Sequence, residues 1–253
     1  MTIREEFDKR MIEIDLYFEI LKTIELDKPK LSAYNLIENQ QIEVLFDSEK
    51  IKILRANSFL LLYNLIESTI YNSIVSIFDK ITDNQIKYFE MIEEVQRYWL
   101  NNLYKHDEKK KKETVISTFM NIATQIFNNS IFLTSNEISY GGSLDAQTIF
   151  ETAKAMKIGI ANVLRVYDKN IHGETLKRIK DKRNWLAHGE KSFSEVGDDV
   201  TFSQLNEAKN QVKIFLEEFI KSVEEYISNE SYRKQSLYSI NQFELKNDEL
   251  TIS

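Results

Sequence analysis

Cysteine is absent from the 253 residues, which excludes disulfides and the zinc sites that need thiolate ligands. One proline, Pro29, and six glycines leave too few turn residues for a fold of many short strands, so long helices and an all-α class are expected. No apolar run approaches the about 20 residues that a bilayer span takes. The longest, Phe59 to Ile66, is broken by Asn64. The stretch Met1-Thr2-Ile3-Arg4-Glu5-Glu6-Phe7 is charged and lacks the apolar core of a signal peptide, which makes a cytoplasmic location the expectation. A basic balance is lacking too. A net charge of -7 has the wrong sign for a protein that coats nucleic acid through overall basicity, so any RNA contact must be local.

What is present suffices for a core: 42% of residues are hydrophobic and 11% aromatic. Phe7, Met11, Ile14, Phe18 and Leu21 recur at spacings of three and four, which predicts an amphipathic helix from about Ile3 to Leu26 that stops at Asp27-Lys28-Pro29. Residues 30 to 50 read as short helices or turns around Leu36 and Val44. From Lys52 to Ile81 the apolar density predicts a helix buried on most sides, with Asn64 and Glu67 three residues apart on one face of it. A carboxylate there either finds a partner, as buried charges must, or reaches solvent at the rim. Thr82-Asp83 offers a cap for a helix through Ile92, Trp99 and Leu103. Another helix is expected over Glu113 to Asn128, then an irregular loop with Gly141-Gly142, a helix from about Asp145 whose apolar face runs on to Ile160, and a short basic helix over Glu174 to Ala187. A polar loop over Ser192 to Thr201 precedes a last long helix through Leu205, Phe215 and Tyr226, capped by Thr201 or Ser203. The expected organisation is one domain over about 1–230, with a core at about 50–82 and 147–230, an elaboration at about 83–146, and a polar tail over 231–253.

The segment Lys177 to Lys191 holds six basic residues against two acidic ones, a local patch on an acidic chain. The run Lys109-Lys110-Lys111-Lys112, beside Asp107, Glu108 and Glu113, reads instead as a solvated turn or helix end. Within the patch stands Arg183-Asn184-Trp185-Leu186-Ala187-His188-Gly189. Five residues of ideal helix turn the His188 side chain about 140° away from Arg183. A helix that ends at Gly189 would release His188 as a cap residue able to swing toward the Arg face. Trp185 and Leu186 read as core anchors. His106 and His172 read as surface residues, and three scattered histidines without cysteine make a poor metal site.

With its polar residue after Arg183 and His188 five positions on, this segment resembles the HEPN superfamily motif R-x(4-6)-H. Arg183 through Phe193 (RNWLAHGEKSF) and Leu60 to Lys80 (LLLYNLIESTIYNSIVSIFDK) look like the large MAE-type bacterial HEPN nucleases, over roughly residues 50 to 230. The resemblance implies an HEPN-like helical bundle with a helical insertion, and metal-independent RNA cleavage by attack of a ribose 2′-hydroxyl, with no cofactor. His188 is suited to proton transfer near neutral pH and Arg183 to holding phosphoryl oxygens where charge builds up. Asn184 would orient the phosphate or His188, and Glu67, with Asn64 beside it, would position Arg183. Lys180, Lys182 and Lys191 would contact RNA. Relatives pair two motifs across a two-fold axis, which implies a homodimer with a composite cleft. The implied setting is a toxin of a toxin-antitoxin or anti-phage system, with an antitoxin or defence protein as partner. The alternatives are a non-catalytic HEPN module that binds RNA, nucleotide or protein, and a purely structural helical adaptor.

Overall fold

The N-terminal three-and-four period is realised as α1 (Ile3–Ile24), which buries Phe7, Met11, Ile14, Phe18, Leu21 and Ile24. Its start is set by a reciprocal cap. Thr2 Oγ1 accepts from the Glu5 N–H at 3.2 Å while the Glu5 carboxylate accepts from the Thr2 N–H at 2.8 Å. The computed structural model describes residues 2–25, 29–37, 39–104, 112–128, 130–138 and 144–235. Leu26-Asp27-Lys28, His106, Lys109 to Lys111, Gly141-Gly142 and the tail beyond residue 235 lie outside them.

After α1 come the antiparallel strands β1 (Lys30–Asn35) and β2 (Gln40–Leu45), then the helices α2 (Ser48–Asp83), α3 (Glu93–Tyr104), α4 (Lys112–Phe127), α5 (Ala146–Ala155), α6 (Ala161–Val166), α7 (Glu174–His188), α8 (Phe193–Asp198) and α9 (Phe202–Ser228). The hairpin replaces the short helices or turns expected over 30 to 50. Its residues alternate with period two. Leu31 pairs with Val44 and Ala33 with Ile42 on one face, whereas the Lys30–Glu43 ion pair and the Gln41 to Ser32 hydrogen bond lie on the other.

Cα packing divides the chain into two units: the described residues of Met1–Ile74, Tyr140–Thr152 and Ile160–Ser222, and those of Val75–Ser139, Ala153–Gly159 and Val223–Ser253. The first unit is cored by Ala56, Phe59, Leu62, Ile66 and Ile70 of α2 with Leu205, Val212, Phe215 and Phe219 of α9. α8 occupies what reads as a polar loop in sequence. Ser192 and Glu195 form a capping box at its start. Its Gly197 lies so close to α2 that an added Cβ would stand 1.8 Å from the Lys52 carbonyl oxygen. Thr201, not Ser203, caps α9, its hydroxyl accepting from the Gln204 N–H at 3.3 Å.

In the second unit, α3 begins at Glu93 rather than at the expected Thr82-Asp83 cap. The reason is that α2 runs on through Asp83, and the Thr82 hydroxyl is spent on the Phe78 and Ile131 carbonyls. Trp99 is fully buried there, with its indole N–H donating to the Phe132 carbonyl at 2.9 Å. α5 stops at Ala155, short of the expected run to Ile160, because Lys157 takes a left-handed φ of 56°. No helix among the described residues is long and apolar enough to cross a membrane.

Candidate active site

All of the motif lies on α7, in the first unit. Thr175, Leu176, Ile179 and Lys182 form the buried side of that helix. Gly189 closes it at φ 70°, ψ 19°, the left-handed geometry that glycine adopts without a Cβ penalty. His188 is therefore the last helical residue and not a released cap. It keeps the angular offset of about 140° from Arg183 that an ideal helix imposes. Its side chain is exposed and has no hydrogen-bond partner among the described residues. No hydrogen bond or ring contact joins it to Arg183 among those residues.

Arg183 is held differently from the sequence expectation. Its Nη1 donates to the Asn184 Oδ1 at 3.1 Å, and its guanidinium carbon lies 4.4 Å from the centre of the Tyr63 ring. No carboxylate pairs with it among the described residues. Tyr63 belongs to α2 and is fully buried. Its hydroxyl accepts from the Leu144 N–H at 3.1 Å, and burial pushes the phenol's pKa up. Glu67, one turn further along α2, is half-buried and makes no ion pair with Arg183, and Asn64 is exposed. Tyr63 thus stands where Glu67 was expected. The signal for it was its place on the apolar stripe of α2, four residues before Glu67 and on the same face.

Two of the three lysines expected at RNA are committed within the fold. Lys180 pairs with Asp145 at 2.9 Å, and Asp145 also caps α5 by accepting from the Thr148 N–H at 2.9 Å. Burial pushes the Asp145 carboxyl up, but these two partners outweigh it and hold the group below the usual aspartate range. Lys182 is buried and pairs with Asp199 at 2.5 Å, its ammonium 5.0 Å from the Trp185 ring centre. Basic residues rarely bury unless paired, so these two contribute to packing and registry rather than to a free cationic surface. Lys191 remains exposed, its ammonium 4.0 Å from the centre of the same ring. Trp185 and Leu186 are half-buried, less than the core anchors that their types suggest.

A cavity of about 400 Å³ lies between α7 and α9, lined by Glu174, Thr175, Arg178, Gln204, Glu207 and Gln211 among others. Arg178 also borders a groove of about 280 Å³ that reaches Trp185. His172 accepts from the Asp168 N–H at 3.0 Å in the π-helical turn before α7. No cluster of three or more His, Asp or Glu able to hold a metal ion is present among the described residues.

Residues 1–232 match the family model described as MAE_28990-like HEPN. No curated protein and no solved structure matches the chain.

Proposed function

The chain belongs to the MAE_28990-like HEPN family, and from that premise we propose that it is a metal-independent endoribonuclease whose reacting groups are Arg183, Asn184 and His188. The observation that carries the reading is an Arg183 guanidinium held by a ring and an amide oxygen and neutralised by no carboxylate among the described residues. Such a cation is available to the phosphoryl oxygens on which charge accumulates in the transition state. An imidazole at the exposed end of α7 is available to move protons at neutral pH.

In the reaction proposed, a neutral imidazole takes the proton of a ribose 2′-hydroxyl, and the 2′-oxygen attacks the adjacent phosphorus. The bond to the 5′-oxygen breaks and that oxygen leaves with a proton from an imidazolium. A 2′,3′-cyclic phosphate and a 5′-hydroxyl result. One protomer supplies one motif histidine and does not join it to Arg183, so the reading requires a symmetric homodimer in which two α7 ends share a cleft. The biological setting proposed is a toxin of a toxin-antitoxin or anti-phage system, held silent by a partner protein.

The test is incubation of the purified protein with RNA in EDTA, beside His188→Ala and Arg183→Ala. Cyclic-phosphate ends are expected with the wild type and neither variant. Undiminished cleavage by His188→Ala refutes the assignment. A second reading, a non-catalytic module that binds RNA, nucleotide or protein, is favoured by the separation of His188 from Arg183 within the protomer. It predicts RNA binding without cleavage, and no growth arrest on expression.

A further inference from the structure

Arg183 differs from Lys180 and Lys182, its nearest basic neighbours on α7, in what holds it. Lys180 and Lys182 each end on a carboxylate, Asp145 and Asp199. Arg183 ends on the face of Tyr63. A guanidinium is planar and all its N–H donors lie in that plane, so a carboxylate partner consumes donors and cancels charge, whereas a ring beneath the plane does neither. Among the described residues only Nη1 is committed, to Asn184. The Tyr63 ring, for its part, is fixed. It is fully buried in α2, and its hydroxyl is tied to the Leu144 N–H just before α5. The same corner holds α7, because Asp145, the next residue, pairs with Lys180.

We infer that Tyr63 is a positioning residue for Arg183: its ring holds the guanidinium by the face so that the in-plane N–H edges stay free for an oxygen of a phosphodiester. The inference rests on the nuclease reading for its ligand, but it concerns how the cation is presented and not whether cleavage occurs. The hydroxyl serves the fold and the ring serves Arg183, so the two parts of one side chain are separable by mutation. Asn184 sets rotation about the stacking axis by taking one donor, and Tyr63 sets the plane.

The test is a double-mutant cycle on binding of an oligonucleotide with a 2′-deoxy residue at every position, which cannot undergo 2′-hydroxyl attack. Tyr63→Leu weakens binding about tenfold, the range of a partly desolvated cation–π contact. Tyr63→Phe, which keeps the ring, stays within about threefold of wild type. In an Arg183→Ala background Tyr63→Leu has no further effect, because Tyr63 acts only through Arg183. An equal loss in both backgrounds overturns the inference. Should Tyr63→Leu fail to fold, as thermal unfolding would reveal, Arg183→Lys decides. It keeps the charge and loses the planar fork, and must bind about as weakly as Arg183→Ala; wild-type affinity overturns the inference. Coupling in the cycle without RNA cleavage refutes the nuclease reading alone, and His188-dependent cleavage with an additive cycle refutes the positioning role of Tyr63 alone. No binding of the oligonucleotide by the wild type overturns that role.

Discussion

Removing either end of the Lys182–Asp199 ion pair deletes the same interaction, yet the two deletions should differ in cost because the partners differ in burial. The Lys182 side chain is 9% exposed and that of Asp199 66%. In Lys182→Met the aliphatic stem keeps its packing and Asp199 is left in water. What is lost is one charge-assisted hydrogen bond, screened on its outer side, and a cation–π contact at 5.0 Å, together about 1 to 1.5 kcal/mol. In Asp199→Ala the ammonium stays where it is and loses its counter-charge, which costs about 2 to 3 kcal/mol after allowance for the solvent beside it. With a urea slope of about 2.5 kcal/mol per molar, the midpoints fall by about 0.5 M and about 1 M. Tryptophan fluorescence reads both, since Lys182 lies beside Trp185. A loss in Lys182→Met that equals or exceeds that in Asp199→Ala refutes the reasoning. So does a drop of about one in the salt slope of RNA binding for Lys182→Met, the signature of a phosphate contact.

Two more outcomes follow from the same unit. Gly197→Ala drives a methyl group onto the Lys52 backbone, which cannot yield without moving α8 off α2, and should cost about 1 to 3 kcal/mol in urea unfolding; wild-type stability contradicts that packing. Acid should destabilise the unit. Asp145, through partners that outweigh its burial, and Asp199, through its hydrogen bond from Lys182, both sit below the ordinary aspartate range. Their stabilisation is therefore present above the unfolded value of about 4 and is lost as pH falls through the lower folded values. Unfolding midpoints should decline as pH falls below about 4, and less so in Asp145→Asn; identical pH profiles for the two proteins contradict the assignment.

Much of the helical architecture was legible because a period of 3.6 is written locally. α1, α4 and α9 follow from apolar residues spaced by three and four, and the close of α7 from Gly189, since one backbone position accepts a left-handed φ at little cost. Misreadings arose where two local signals competed. Thr82-Asp83 has the residue types of a cap, but the Thr82 hydroxyl is consumed by carbonyls, one of them 49 residues away. Over Ser192 to Thr201 a capping box was present among polar residues, and its helix is stabilised by the approach of Gly197 to α2, which no local pattern contains.

At the candidate site the division is sharper. The sequence by itself determined that an arginine, an amide and a histidine share one short basic helix, because covalent spacing fixes their positions along α7. Only the tertiary structure decided which of Lys180, Lys182 and Arg183 keeps its charge free of a carboxylate. Lys180 and Lys182 lie among the same run of residues as Arg183, and nothing in their spacing shows which of the three meets a carboxylate. The difference comes from Asp145, Asp199 and Tyr63, which the chain brings from 35, 17 and 120 positions away, so that carboxylates meet two of the cations and a ring meets the third.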